Sequence, residues 1–303
     1  MLRYGTPAAA VVPIWAALAL LAHAARVSAS GQLPLLTDVP DSPPVGALEL
    51  DAAYGFDRVR RARDEGHGTR TDMSVPRLLL DYGITDRVQG RLGGAGALTR
   101  QASGATAYGL EDVSAGIKYR FLDQPEDTED EAEKAGASAS EEDEDRWARE
   151  GPVSASLFPQ FSFPTGSPRE GIREAEYSLY VPLDVSRELG ALTLVGEGAF
   201  LWRYHERAGP NEFELGLAAF YDLTPRCTLL GEGRVDLPTI GQGTADWLFN
   251  LGARYDLTDQ LAVFGSAGRT FRASSRIEER TLMFLVGVEI TRAPPPTGSR
   301  PAP

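Results

Sequence analysis

Charged side chains at even spacings within apolar surroundings are the first chemically suggestive feature of this 303-residue sequence. Glu49 and Asp51, Arg77 and Asp81, Arg91, Lys118 and Arg120, Glu197 and Arg203, Glu214, Glu232 with Arg234 and Asp236, Arg254 and Glu289 all alternate with aliphatic or aromatic residues, and Asp112 precedes one such run. Residues two apart share one face of a strand, so these acids and bases would project from the same side of a sheet. If that side is enclosed, charges of both signs line a passage and select its solute. The alternative is that they pair across the interior and fill it, as side chains do in barrels of small strand number.

Enzymatic chemistry is poorly supplied. A hydrolase needs a nucleophile with a histidine base, and beyond the N-terminal leader described below only His67 and His205 remain, both in polar stretches. Glu206 follows His205 and could orient its imidazole, but no G-x-S-x-G elbow accompanies the pair. The glycine pairs in RLGGAG and LVGEGAF lie within strand patterns, not ahead of a helix, so they are not phosphate loops. Cys227 falls on an apolar file beside a turn and reads as a small hydrophobe. The expectation is a protein that is not an enzyme, with no cofactor and no bound metal.

Composition narrows the classes further. Forty-three acids against 30 bases give a net charge of −13, the wrong sign for a nucleic-acid footprint. One cysteine excludes a disulfide framework or a zinc cage within the chain. A mean hydropathy of −0.23 resembles that of a soluble protein, yet alternating transmembrane strands average to the same value.

At the N-terminus, Arg3 precedes an apolar run from Ala8 to Ala25, with small residues suited to cleavage after Ala24 or Ala29. Residues 1–29 therefore read as a secretory leader, and the lack of a cysteine after it excludes a lipoprotein. No later stretch is apolar enough for a membrane helix, so a membrane form must be a closed β-barrel.

Period two runs through the rest of the chain. Trp247, Phe249, Leu251, Ala253, Tyr255 and Leu257 oppose Leu248, Asn250, Gly252, Arg254 and Asp256, and Phe213–Leu223 repeats the pattern. Similar files at Leu48–Phe56, Leu78–Ile84, Val88–Leu98, Val113–Phe121, Val153–Phe163, Tyr177–Val185, Leu192–Tyr204, Cys227–Leu237, Leu261–Ala267 and Leu282–Ile290 bring the total to about twelve. The fold expected is all-β, an up-and-down antiparallel transmembrane β-barrel of about 12 strands over residues 46–291, preceded by a periplasmic segment at 30–45.

Three joints share one pattern: YGITDRV at Tyr82, YDLTPRC at Tyr221 and YDLTDQL at Tyr255. Each is a tight turn following an aromatic, and strand parity puts all three on the same, periplasmic, rim. Tyr82, Tyr119, Trp202, Tyr204, Tyr221, Trp247 and Tyr255 read as an interfacial girdle, with Tyr54 and Tyr177 also outward. Longer polar connections, among them Asp57–Ser74 and Thr99–Tyr108, would be extracellular loops. One periplasmic connection, 123–150, carries thirteen acids and three bases without apolar periodicity and reads as a disordered insertion. No D-x-D-x-D-G register supports a cation loop within it. Residues 292–303 form a proline-rich, disordered tail.

Three stretches, RLLLDYGITDRVQGRLG (Arg77–Gly93), GLEDVSAGIKYRFL (Gly109–Leu122) and FSFPTGS (Phe161–Ser167), resemble the MetA-pathway of phenol degradation family of outer-membrane proteins. The resemblance implies an exported barrel in the outer membrane of a Gram-negative envelope and passage of small, aromatic or hydrophobic, solutes. The acidic insertion and the proline-rich tail depart from it. Two further readings remain. One is a non-conducting structural barrel or envelope adaptor whose acidic loop takes a basic periplasmic partner. The other is a soluble periplasmic β-protein with its greasy file folded inward. Partners are therefore outer-membrane lipid and a small-molecule solute, with no nucleic acid.

Overall fold

The computed structural model describes residues 35–62, 68–123, 152–166, 177–204, 211–239, 245–273 and 278–293. The leader, most of the acidic insertion, His67, His205 and all of the proline-rich tail beyond Ala293 lie outside them, while Arg292, expected in that tail, ends the last strand. All regular structure among the described residues is strand: β1 (Leu48–Ala62), β2 (Gly68–Thr85), β3 (Val88–Arg100), β4 (Thr106–Leu110), β5 (Val113–Asp123), β6 (Val153–Leu157), β7 (Gln160–Phe163), β8 (Ser178–Leu189), β9 (Leu192–Arg203), β10 (Glu212–Thr224), β11 (Cys227–Pro238), β12 (Asp246–Thr258), β13 (Leu261–Ala273) and β14 (Glu278–Arg292).

Each strand pairs antiparallel with its neighbours, and β1 pairs with β14 from Leu48↔Arg292 to Ala62↔Glu278, which closes the sheet on itself. The fourteen segments form a closed 12-strand barrel because two staves are interrupted. β4 and β5 both pair with β3 and share one stave, broken at Glu111 and Asp112. β6 and β7 share another, broken at Phe158 and Pro159, where proline has no N–H for the ladder.

Alternation explains which side faces inward. Leu251, Leu217, Phe249 and Leu215 stand exposed on the outer face, while Leu248, Asn250, Glu214 and Ala218 between them are buried. A soluble protein does not display such a continuous apolar outer band; a bilayer solvates it. The soluble alternative, with the greasy file inward, is the reverse of what is seen.

The tight turns are built alike. Thr85 Oγ1, Thr224 Oγ1 and Thr258 Oγ1 accept hydrogen bonds from Arg87 N, Arg226 N and Gln260 N at 3.2, 3.3 and 3.2 Å. A register shift just before each threonine twists the strands into the turn. These turns, the Gly190 turn (φ 65) and the C-terminal end of β14 lie on one rim, the turn rim; the opposite one is the loop rim.

Three expectations need correction. Asp57–Ser74 is largely strand, since β1 and β2 continue to Ala62 and from Gly68 as a ribbon beyond the apolar band, where water solvates both faces of polar strands. Thr99–Tyr108 contains the start of β4. Of the stretch expected as a periplasmic segment at 30–45, the described part, from Leu35 on, enters the lumen: Leu35, Thr37, Asp38 and Pro40 are buried within it. It lacks strand periodicity, and its polar groups find their partners on the barrel wall.

Replacing the outward Leu251 at the middle of β12 by Arg should destabilise the barrel by about 2–4 kcal/mol in lipid, the cost of a cation near the bilayer midplane. Urea unfolding in vesicles, read by the heat-modifiable band on gels, checks it. A change within about 0.5 kcal/mol, typical of a water-exposed site, would contradict a lipid-facing band.

Candidate functional site: a charged lumen with an inserted segment

The interior is acid-rich. Among the described residues nine carboxyl side chains are buried: Asp38, Glu49, Asp51, Asp81, Asp184, Glu197, Glu214, Glu232 and Glu289. Lys118 and Arg91 are the buried cations, with Arg234 and Arg254 slightly more exposed. Strand register sorts these groups into three clusters.

The first cluster, on β2, β3 and β5, holds the inserted segment. Asp81 receives Arg91 through Nε and Nη2 at 2.7 and 2.6 Å, a fork that fixes the guanidinium plane. Arg91 Nη1 then reaches Asp38 at 3.1 Å, and Lys118 Nζ reaches the other oxygen of Asp38 at 2.8 Å. Lys118 also donates to the carbonyls of Val39 and Asp41 at 2.6 and 3.1 Å, and Arg120 pairs with Asp41 at 3.3 Å. Phe158, turned inward at the stave break, lies 4.8 Å from the Arg91 guanidinium and 5.1 Å from Lys118 Nζ, so its ring face meets both cations.

The second cluster lies on β8 to β11. Glu232 accepts the backbone N–H groups of Leu36 and Thr37, and Glu197 accepts that of Asp38. Tyr180 Oη donates to Glu197 at 2.8 Å, while Arg234 pairs with Glu197, Glu214 and Asp236. Leu35 packs on Val195, Ala218 and Leu230, so the segment is anchored by apolar contact as well as by charge.

The inserted segment leaves the lumen across β2. Gly46 N and Gly83 O, and Gly83 N and Ala47 O, bond at 2.7 and 3.1 Å. A Cβ at Gly83 would stand 2.2 Å from Pro44 O and 2.4 Å from Pro43 O. Gly83 is where the first turn repeat reads YGIT instead of YDLT; the other two repeats carry Asp222 and Asp256 there. The glycine thus marks the passage of the N-terminal chain over the wall.

The third cluster sits at the closing seam. Asp51 lies opposite Glu289, and Glu49 opposite both Thr291 and Asp81. Ligand oxygens of Glu49, Asp51 and Glu289 all lie within 4.8 Å of one another. Arg254 contacts Glu289 at 2.9 Å and Asp256 at 3.0 Å.

The remaining inward expectations scatter. Arg77 is half-buried on the inner face between Ala53 and Ala95. Arg203 pairs with Glu212 at 3.1 Å near the loop rim, and Asp112 accepts from Gly166 N at 2.8 Å in the break of its stave. The aromatics face outward: Tyr82, Tyr119, Tyr221 and Tyr255 lie toward the turn rim, Trp202, Tyr204 and Trp247 toward the loop rim, all between 45 and 52% exposed. Tyr177 joins the loop-rim set, whereas Tyr54 stands at mid-height on β1, opposite Val286. Cys227 is half-buried beside its turn.

Asp38, Asp41, Asp184 and Tyr180 join the lumen without having been expected there. Asp184 and Tyr180 carry the period-two signal of Tyr177–Val185 and could have been read from it. Asp38 and Asp41 lie in a proline-rich stretch with no period.

A family model described as "Putative MetA-pathway of phenol degradation" matches residues 25–286. Among solved structures, an outer membrane channel from Pseudomonas putida F1 is similar at 12% identity, covering 85% of this chain and 99% of its own, with a TM-score of 0.56. A FadL homologue from Pseudomonas aeruginosa is similar at 11% identity, covering 81% of this chain and 90% of its own, with a TM-score of 0.43. No curated protein matches the sequence.

Arg234 is the sole described cation touching Glu214 and Glu197. Arg234→Met should leave two buried acids without it and cost about 3–5 kcal/mol. Urea titration in vesicles measures this, and pairing the change with Glu214→Leu should return part of the loss. Equal stability of Arg234→Met and the parent would show a water-filled cluster.

Proposed function

We propose, since this chain belongs to the MetA-pathway of phenol degradation family, that it is an outer-membrane channel for small solutes whose lumen is held shut by residues 35–47. A closed barrel with an apolar outer band and a polar interior belongs in the outer membrane, with lipid around it and solute within. On this reading the turn rim is periplasmic, residues 1–29 are removed on export, and the outward Tyr and Trp rows anchor the barrel at the two interfaces.

Asp38 carries the reading. It stands inside the lumen between Lys118 and Arg91, both buried, and the segment 35–47 that carries it contains no base of its own. The two contacts on Asp38 contribute about 1.5–3 kcal/mol each, beside the Arg120–Asp41 pair and the amides given to Glu232 and Glu197. The excess of carboxylates supports preference for cationic or neutral solutes. An apolar layer of Ala53, Leu79, Phe264 and Leu285, on the loop-rim side of the seam acids, supports admission of aromatic or hydrophobic ones.

Planar-bilayer recording tests this. Asp38→Asn removes the charge on which both cations converge, and Gly83→Asp places a side chain where Pro43 and Pro44 cross. Each should raise the open fraction at least tenfold over the parent, with cation-selective reversal potentials. Unchanged, closed traces from both variants, with the barrel still heat-modifiable, would overturn the channel in favour of a structural barrel.

A further inference from the structure

Of the three clusters, the seam is the one with the most carboxylate oxygens left without a hydrogen bond among the described residues. Glu49 and Asp51 are 1% and 2% exposed, and Glu289 is 1% exposed. Both carboxylate oxygens of Glu49, Asp51 Oδ1 and Glu289 Oε2 accept no hydrogen bond among the described residues. Asp81, opposite Glu49 on β2, is occupied by Arg91. When ionised, these three carboxylates face one described cation in contact, Arg254, which Glu289 shares with Asp256, so at least two negative charges are left uncompensated in a buried space. Like charges directly opposite across a strand pair, as Asp51 and Glu289 are, oppose that pairing, and this pair joins the first strand to the last.

We propose that Glu49, Asp51 and Glu289 bind one calcium ion that ties β1 to β14 at the seam where the barrel closes. The ligand set is all carboxylate oxygen, the choice of hard cations, and no softer donor is included. One oxygen from each of the three residues lies within 4.8 Å of the others, close enough to share one ion. Calcium accepts carboxylates singly or bidentate in a flexible geometry, whereas magnesium demands a near-ideal octahedron and keeps several waters, so a buried carboxylate set fixed on the barrel wall favours calcium. Two unmatched charges are those a divalent ion neutralises, and Glu49's two free oxygens allow bidentate ligation. Thr291 Oγ1, which contacts Glu289 Oε1 at 3.4 Å, orients one ligand. The site is independent of the inserted segment, whose partners are on other strands.

The test uses the full mature chain, purified in detergent free of lipopolysaccharide, stripped with a chelator and titrated with calcium chloride or magnesium chloride alone. Calorimetry should give one calcium per chain at the seam, and thermal unfolding should show a Tm that rises with calcium and much less with magnesium. Glu49→Gln and Asp51→Asn should weaken that binding at least tenfold and abolish the Tm rise. In chelator the same variants should melt above the parent, because each removes a repelling charge; this crossing of the order distinguishes a metal site from damage to the fold. The acid-rich stretch 124–149 could bind calcium independently, so a chain lacking it is titrated in parallel and should retain the calcium-dependent Tm rise. Loss of the rise on that deletion, its persistence in Glu49→Gln, or no calcium-dependent rise in the parent would each overturn the proposal.

Discussion

The pairing of β1 with β14 is the constraint on which the molecule depends. Inside a bilayer a backbone N–H or C=O has no water to meet, so a sheet can span it only by leaving no edge. β1 therefore accepts β14 along its whole length, and every other pairing is sequential around the ring. Once the ring is closed, period two has a fixed meaning: odd positions of β12 such as Leu251 meet lipid and even ones such as Arg254 meet the lumen. The charges that would be indifferent on an open sheet become an enclosed population that must be balanced in a small volume.

That balance is reached partly by borrowing. Arg91 and Lys118 belong to the wall, but Asp38 reaches them from a segment before the first strand. The same segment gives its N–H groups to Glu232 and Glu197, wall acids that would otherwise accept fewer bonds. Anchoring is thus complementary in both directions: the wall's bases take the segment's acid, and the wall's acids take its amides. A purely apolar plug would satisfy neither.

Alternation made the barrel legible, because it depends only on neighbours two residues away. The turn repeats were legible for a similar reason: Thr85, Thr224 and Thr258 act on an N–H two residues on. The inserted segment was not, since Leu35 to Ala47 is governed by contacts with residues up to 196 positions distant. Nor could the sequence say which acid meets which base. Arg234 reaches Glu197 and Glu214 because β9, β10 and β11 are in register, a long-range fact. The break at Phe158 escaped as well, although Pro159 signalled it. One trace of the insertion was nevertheless present: glycine at position 83, where the sister repeats have aspartate.

Charge placement links closure to selectivity. The bases of β3 and β5 gather on one wall and the unmatched acids of β1 and β14 on another, with β2 between them contributing Asp81 to the first. While the segment is seated, Asp38 and Asp41 neutralise the basic wall, and the field in the remaining space is set by the seam acids. If the segment withdraws, it takes both aspartates with it and uncovers Arg91, Lys118 and Arg120. Withdrawal of the segment would therefore change the sign balance of the lumen as well as its width. A solute meeting the seated segment and one entering after its removal would meet different fields, so the charge placement couples opening to selectivity.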